Sequence, residues 1–322
     1  MKNTRIAATA LAAGAALLLT ACSGSGSEAA VADGTLEKTD ITVGVLPLAD
    51  YAAVYWADEN GFFEREGLTV NLEPIQGGPI GIQKVASGEL DFSIANSISG
   101  AIAQSRNTPI TTVAHTSSLG EGSGILYVDP DSPITDLADV DGKTLGVNTT
   151  NNIGDVTIGN LAADEGVDIS PQYVEVPFPE MLPGVQAGSI DVGYAPEPFS
   201  SAARGAGMRE IADLTTGPNK DLPASIFVSG NNFVNQNPDT TAAFARAIYA
   251  AGADLSANEE ALRAWLPAVA NVPPEVAQVM VLPTYVSSTD VDALLAVDDM
   301  LAAQGLVPDD FDVTEHLFVL ED

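Results

Sequence analysis

The chain has 322 residues, of which 46% are hydrophobic, so it is long enough for two domains that each bury a core. It carries 44 acidic against 12 basic residues, a formal net charge of −32. This charge argues against electrostatic binding of nucleic acid or of anionic lipid headgroups, and we interpret it as a solvated acidic surface that aids solubility.

The amino terminus has the features of an export signal. After a basic start, an apolar Ala/Leu stretch over 6–19 is too short for an ordinary membrane span. Leu19-Thr20-Ala21-Cys22 then resembles the lipidation box of bacterial lipoproteins. We predict a signal peptide over 1–21, lipidation of Cys22 and a flexible Gly/Ser-rich tether over 22–39. Cys22 is the only cysteine, so the sequence offers no further thiol for a disulfide or for catalysis.

Strand-like and helix-like patterns then alternate along the chain. We predict strands at Ile41–Leu46, Leu68–Ile75, Phe92–Ala95, Ile110–Ala114 and Ile125–Val128. The first four strands end in polar or glycine-rich loops, and helical patterns lie between them. We expect Asp50 to cap the helix Tyr51–Asn60, and Ser97 or Ser99 to cap a later helix. This alternation is the signature of βαβ units and a parallel sheet.

The middle of the chain repeats the pattern of its beginning. Lys143–Val147 echoes Ile41–Val45, Glu165–Val167 echoes Glu66–Leu68, and Val185–Val192 echoes Val85–Phe92. The offset is nearly constant at about 100 residues, which indicates two lobes built alike rather than one large sheet. Ligand sites occur preferentially between such lobes.

From Pro223 onward the chain holds a strand-like run, Ser225–Val228, and then turns helical. We expect this part to return to the first lobe and to pack helices on its sheet. The predicted domains are therefore a first lobe over 40–132 and 222–322, and a second lobe over 133–221. Two crossovers, near 129–139 and 214–223, are the predicted hinge.

The ordered set of motifs resembles the substrate-binding proteins of ABC importers, in the nitrate, sulfonate, taurine and thiamine-precursor family. The matching motifs are Ile41–Gly44, Glu59–Phe63, Glu66–Leu68, Ala86–Asp91, Ile134–Leu137 and Asp141–Lys143. The resemblance implies an α/β, two-lobed periplasmic-binding-protein type II fold with its ligand in the cleft between the lobes. It also implies an exported, membrane-anchored lipoprotein that faces outside, captures a small solute by hinge closure and delivers it to a permease and ATPase. We expect it to act as a monomer.

Loops at strand ends and helix starts supply the candidate ligand contacts, because free N–H groups and uncharged side chains there suit an anionic oxygen. The predicted contacts are Asp50, Tyr51, Gln76, Gly77, Asn96, Ser97, Thr116, Ser117, Asn148, Thr150, Asn151 and Glu197. We favour a small organic anion of the sulfonate, nitrate or carboxylate class. The alternative is an aminopyrimidine thiamine precursor, with Asp50 as acceptor and Tyr51 as stacking platform.

The sequence does not favour an enzyme. His115 and His316 are its only histidines, and it has no Cys/His metal spacing, P-loop or dinucleotide fingerprint. Pyrimidine-synthesising enzymes of the same family rely on a cysteine cluster that this sequence lacks. We therefore expect a non-enzymatic binder without cofactor or metal. A surface receptor that signals through a partner is a less favoured alternative.

Overall fold

The computed structural model describes residues 35–269 and 272–320. The predicted signal peptide, Cys22 and the predicted tether up to residue 34 lie outside the described residues. Within these two ranges, none of the helices combines the length and apolar character that a membrane span requires.

The strands, in chain order, are β1 Asp40–Val45, β2 Thr69–Pro74, β3 Phe92–Ala95, β4 Ile110–Ser118, β5 Gly124–Val128, β6 Thr144–Val147, β7 Gln172–Glu175, β8 Val192–Pro196, β9 Arg209–Asp213, β10 Pro223–Gly230 and β11 Thr284–Tyr285. The helices are α1 Ala52–Glu59, α2 Phe62–Arg65, α3 Gly78–Ser87, α4 Ser97–Ser105, α5 Ile153–Glu165, α6 Phe178–Gln186, α7 Phe199–Gly205, α8 Asn231–Gln236, α9 Pro238–Ala257, α10 Glu259–Val269, α11 Pro274–Val279 and α12 Val291–Ala303. A 3₁₀ turn, Ala49–Tyr51, precedes α1.

The strands form two sheets. The first has six strands in the order β11-β4-β10-β3-β1-β2, and the second has five in the order β7-β6-β8-β5-β9. In the first sheet β1 runs parallel to β2 and β3, whereas β10 runs antiparallel to β3 and β4. In the second, β6 runs parallel to β7 and β8, whereas β5 runs antiparallel to β8 and β9. The predicted α/β, two-lobed fold class is confirmed.

The first crossover between the sheets lies earlier than predicted. β5 belongs to the second sheet, so the chain crosses at 119–123, and the predicted first-lobe segment 40–132 is too long. A short, fully buried strand carries no local mark of the sheet that it joins, because its partners β8 and β9 are distant in sequence. The chain returns to the first sheet at 214–222, between β9 and β10. The backbone N–H of Leu119 donates to Leu222 O at 2.9 Å, so the two crossovers are bonded to each other.

The end of the predicted tether is part of the first lobe. Glu37 accepts hydrogen bonds from the backbone N–H groups of Asp239 (3.1 Å) and Thr240 (2.9 Å), at the start of α9. Lys38 Nζ lies 2.6 Å from an oxygen of Asp91, at the start of β3. The prediction of a tether up to residue 39 is therefore wrong at its carboxyl end. Its polar composition suggested a loop, but the partners of these side chains are far along the chain.

Helices from the end of the chain complete the first core and also reach the second lobe. Phe244 of α9 stacks on Phe92 with ring centroids 4.0 Å apart. A smaller apolar cluster joins the lobes, with Ile98 of α4, Val156 of α5 and Leu301 of α12 among its members. The two lobes therefore share buried surface besides their covalent crossovers.

Candidate functional site

A cleft lies between the carboxyl ends of the parallel strands of both sheets, where open α/β sheets place their ligands. Its lining residues come from both lobes: Leu46, Leu48, Asp50, Tyr51, Gly77, Gly78, Asn96, Leu119, Asn148, Asn152, Ile153, Phe178, Tyr194, Pro196 and Ala224. The cavity enclosed between them is small, ≈ 30 Å³, so the two lobes are closed on each other in this structure. A cleft between two lobes is a usual place for a small-molecule site.

Two asparagines connect the lobes within this cleft. Asn96 Nδ2 of the first lobe donates a hydrogen bond to Asn152 Oδ1 of the second. Asn96 is also the N-cap of α4, forming a capping box with Ser99, and Asn152 forms a capping box with Asp155 at the start of α5. The caps predicted at Ser97 or Ser99 are wrong, because Asn96 holds the capping position and Ser99 is its partner. Both helix starts are thereby directed at the cleft and held to each other.

The lobes also approach each other closely at Gly77. A Cβ atom built on Gly77 would lie 2.9 Å from Asn148 Nδ2 and 3.2 Å from Thr149 Oγ1. Such separations are shorter than ordinary van der Waals contacts. A glycine is therefore needed at this position for the closed arrangement of the lobes, and not for its backbone angles, which are extended (φ 174°).

Asp50 is the ionisable group in the cleft wall. It is 8% exposed, and within the described part of the chain its Oδ1 has no hydrogen-bond partner. Burial, and after it the negative charge of Glu197, raises the pKa of Asp50 to about 7. The prediction that Asp50 caps the following helix is wrong. Asp50 lies inside a 3₁₀ turn, and among the described residues no side chain donates or accepts a cap hydrogen bond at the start of α1.

Aromatic side chains form much of the remaining wall. Tyr51 OH donates to Ala95 O at 3.0 Å, which fixes its ring against the end of β3. Phe178 lies edge-on to Tyr194, with centroids 6.0 Å apart, and stacks on Phe199 at 5.4 Å. Burial raises the pKa of both Tyr51 and Tyr194 far above the ordinary value, so both hydroxyls stay protonated. The wall is thus rigid, largely apolar and lined by neutral phenols.

Three predicted hydroxyl contacts lie behind the wall rather than in it. Ser97 Oγ donates to Pro223 O at 2.6 Å, and Thr116 Oγ1 donates to Ser225 O at 3.3 Å. Ser117 Oγ donates to the backbone oxygen of Asp50 at 3.0 Å. Each hydroxyl donates to a backbone carbonyl and none lines the cleft, and their role in binding stays a prediction. They hold the strand ends that carry the site.

Gln76, Thr150 and Asn151 also lie outside the wall. Gln76 is exposed beside Gly77. Thr150 donates from both its N–H and its hydroxyl to Glu175 Oε1, at 2.8 and 2.9 Å. Asn151 is exposed in the left-handed conformation (φ 52°). Of the predicted contacts, Asp50, Tyr51, Gly77, Asn96 and Asn148 line the cleft, and their role in binding stays a prediction.

Glu197 is buried just beyond the cleft. Its Oε1 accepts hydrogen bonds from Ser201 Oγ (2.8 Å) and from the backbone N–H of Val281 (3.0 Å). Arg204 Nη1 lies 3.9 Å from the same oxygen. Because Val281 lies shortly before β11 of the first sheet, Glu197 connects the end of β8 to the first lobe. It influences the site through its charge on Asp50 rather than by contact.

Asn152, Phe178 and Tyr194 are among the lining residues that the sequence analysis did not predict. The repeat offers a signal for Phe178, because the offset of about 100 residues pairs it with Gly78, at the loop after β2. Tyr194 lies on β8, three residues before the predicted Glu197. Among residues 35–269 and 272–320, no three His, Cys, Asp or Glu side chains are grouped so that they could hold a metal ion.

Sequence comparison relates the chain to one family. The family model described as NMT1/THI5 like matches residues 49–261. The 4-amino-5-hydroxymethyl-2-methylpyrimidine phosphate synthase of Schizosaccharomyces pombe is 24% identical over 63% of this chain and 61% of its own length. The taurine-binding periplasmic protein of Escherichia coli is 26% identical over 73% of this chain and 72% of its own. The formylaminopyrimidine-binding protein of Halalkalibacterium halodurans is 30% identical over 45% and 42%.

Solved structures share the fold. The alkanesulfonate-binding protein SsuA from Xanthomonas axonopodis pv. citri, bound to MOPS, superimposes with a TM-score of 0.74 at 17% identity. The alignment covers 88% of this chain and 99% of that one. The two-sheet architecture with a cleft between its halves is therefore that of a periplasmic binding protein.

Proposed function

The chain belongs to the NMT1/THI5-like family, and from this premise we propose that it is the extracytoplasmic solute-binding component of an ABC importer. It captures a small solute in the cleft and delivers it to a permease and an ATPase. The observation that carries this proposal is the cleft itself, which residues of both lobes line and close. Relatives named for taurine and formylaminopyrimidine binding support the same role.

The proposed mechanism is capture by hinge closure. The contacts across the cleft, Asn96 to Asn152 and Gly77 to Asn148, form only when the lobes approach. The two crossovers are the segments that rotate. A solute that touches both walls stabilises the closed arrangement by its differential affinity for it. Export and lipid anchoring through Cys22 complete this proposal, since delivery requires a protein held outside the membrane.

For the ligand, the cleft favours the aminopyrimidine alternative over a simple anion. Of the described residues that line it, none is Lys or Arg, and its one ionisable acid is Asp50. The hydroxyls of Ser97 and Thr116, expected to hold an anion, donate to backbone carbonyls. A flat ring that carries an N–H donor would satisfy Asp50 and pack on Tyr51, Tyr194 and Phe178.

An amino sulfonate is the second candidate. The starts of α4 and α5 both face the cleft, and helix starts bind anionic oxygens. An amino group on the same molecule would meet Asp50. The taurine-binding and alkanesulfonate-binding relatives support this reading.

We propose binding without turnover. One relative is named a synthase and one structural neighbour a desulfurization enzyme, so the fold also occurs in enzymes. The absence of a cysteine cluster from the sequence supports a binder. Mass spectrometry of the bound solute after long incubation tests this point, since any conversion of the solute contradicts it.

A thermal-shift screen tests the function directly. The chain from residue 35 onward is screened against aminopyrimidines, taurine, alkanesulfonates, nitrate and small carboxylates. A ligand at a hundredfold excess over its Kd stabilises the protein by about 2.7 kcal/mol. Scattering should then give a smaller radius of gyration with the ligand bound. Asp50→Ala should abolish the shift, and Glu180→Ala, a change at an exposed site of α6, should not. A panel without any stabilising solute contradicts the proposal.

A further inference from the structure

Two buried carboxyl groups lie at the cleft. Asp50 lines it together with Pro196, the residue before Glu197, and the negative charge of Glu197 acts on Asp50. Asp50 is in the wall and 8% exposed, whereas Glu197 is 1% exposed behind it. Arg204, the basic residue at this site, is 3.9 Å from Glu197 and does not line the cleft. Two like charges in a low-dielectric site repel strongly, so one carboxyl is driven to keep its proton.

The hydrogen bonds decide which carboxyl keeps it. Glu197 accepts from Ser201 Oγ, from Ser201 N and from Val281 N, an arrangement that suits a charged carboxylate. Asp50 Oδ1 has no hydrogen-bond partner among the described residues. The charge therefore stays on Glu197 and the proton on Asp50.

The other groups that face Asp50 do not change the assignment of the charge to Glu197 and of the proton to Asp50. Tyr51 and Tyr285 direct their hydroxyls at the backbone oxygens of Ala95 and Ala49, at 3.0 and 2.8 Å. Tyr194, from β8, is a third neutral phenol, and Asp155 behind it adds only negative charge. Ser117 Oγ contacts the backbone oxygen of Asp50 and leaves its carboxyl free.

We infer that Asp50 meets its ligand as a neutral carboxylic acid, and that Glu197 is the positioning residue that keeps the proton there. This inference rests on the proposed function, which places a small solute in the cleft, and it adds the chemical class of that solute. The buried, unpaired geometry carries it, and the raised pKa of Asp50 agrees with it.

A neutral carboxyl selects a particular ligand edge. It offers one O–H donor and one carbonyl acceptor side by side, whereas a carboxylate only accepts. Its complement is an edge with a lone-pair nitrogen next to an N–H, as in an amino-substituted nitrogen heterocycle. A free ammonium or amidinium cation would prefer the ionised form, and an anion would not prefer Asp50 at all. The cleft is thus specific for a neutral heterocycle.

The first test follows Asp50 itself, without any ligand. Carboxyl carbon NMR of the protein labelled at aspartate is recorded against pH, with Asp50→Asn identifying the signal. We expect a midpoint near neutrality, which Glu197→Gln lowers and Arg204→Gln raises, since Arg204 partly offsets the charge of Glu197. Glu180→Gln, on the outer face of the second lobe, should leave it unchanged. A midpoint in the ordinary aspartate range, or one that neither variant moves, overturns the inference.

The second test uses 2-aminopyrimidine, which stays neutral over the range, and benzamidine, which stays cationic. Calorimetry should show 2-aminopyrimidine binding about tenfold more weakly for each pH unit above the midpoint. Asp50→Asn, which keeps a donor and an acceptor, should bind within a few-fold at all pH values, and Asp50→Ala should lose binding.

Three results overturn the ligand assignment: affinity that rises with pH, loss of binding in Asp50→Asn, or preference for benzamidine. Absence of 2-aminopyrimidine binding at every pH also overturns it. None of these results bears on the importer role, which the wider solute panel tests independently.

Discussion

Asn96 and Asn152 share a hydrogen bond across the cleft, and each also caps a helix of its own lobe. When the lobes close, the starts of α4 and α5 are therefore brought into direct contact. Because the same amides line the cleft, a ligand and the opposite lobe compete for, or share, one pair of polar groups.

Asn152→Ala should open the ligand-free protein. It removes the hydrogen bonds of the Asn152 amide to Asn96 and Thr149, at a cost to stability of about 1 kcal/mol, and keeps the backbone N–H bond to Asp155. X-ray scattering should give a larger radius of gyration than for the wild type. Asp290→Ala is the matched control, because Asp290 caps α12 through Ala293 N at 3.0 Å and does not line the cleft. It should cost similar stability without opening. An equally compact Asn152→Ala protein contradicts this role.

Gly77→Ala should weaken ligand binding about tenfold, equivalent to 1.4 kcal/mol. The added Cβ meets Asn148 and Thr149 only when the lobes are closed, so the change acts on closure rather than on the first lobe. Calorimetry with the ligand from the screen and thermal unfolding without it separate the two effects. Gly205→Ala is the control, since its Cβ would have no neighbour within 4 Å. Unchanged affinity in Gly77→Ala would show that the ligand-bound lobes are further apart at Gly77 than in this structure.

Asp50→Asn should stabilise the ligand-free protein at pH 8 and much less at pH 4. The pKa of Asp50 is raised from 3.8 to about 7 in the folded state, so the folded chain holds a proton that the unfolded chain releases. Wild-type stability therefore falls as pH rises through this window and stays lower above it, by an amount on the order of a few kcal/mol. Denaturant unfolding against pH measures the difference, with the exposed Asp309→Asn as control. A pH-independent difference argues against a raised pKa.

Glu37→Ala should destabilise the first lobe by about 1 kcal/mol, because Glu37 supplies the cap of α9 from the other end of the chain. Burial raises the pKa of Glu37, but the N–H groups of Thr240 and Asp239 outweigh it and the net pKa is lowered. The contribution is therefore present above the unfolded value of 4.5 and lost as pH falls through the lower folded value. Urea unfolding at pH 7 and in acid checks this. The exposed Glu165→Ala should show no such loss, and equal stability of both variants at pH 7 contradicts the capping role.

Cys22→Ala should release the protein from the membrane or leave its signal uncleaved. The reason is the Leu19–Cys22 box, in which the cysteine carries the lipid. Cell fractionation and mass spectrometry of the amino terminus measure both results, with Ser23→Ala as control. Processing and membrane retention equal to the wild type would disprove lipidation.

The order of elements, the two lobes and the position of the cleft could be predicted from the sequence, because they follow from local patterns and from the repeat. The sheet that β5 joins could not, since its pairing with β8 and β9 is set by contacts distant in sequence. The same limit explains Ser97. Its hydroxyl looked free at a helix start, but its acceptor, Pro223 O, belongs to a strand that returns from the second lobe.

Asp50 shows a different limit. An aspartate before a helix usually caps it, and the local sequence gave no sign that the 3₁₀ turn would leave its Oδ1 unpaired. Its environment is set by Glu197 and Tyr194, which come from the other lobe. Conversely, Gly77 and Asn96 were predicted from their loops alone, because the loops after β2 and β3 both reach the cleft.

The position of β10 has a consequence for how the protein is made. The first sheet is not complete until β10 inserts between β3 and β4, and β10 is synthesised only after the whole of the second sheet. The second sheet, from β5 to β9, is continuous and can close by itself. The position between β3 and β4 in the first sheet therefore stays unfilled until β10 has been synthesised. The predicted export signal at the amino terminus fits this order, because the leading half has no finished sheet before β10 has been made.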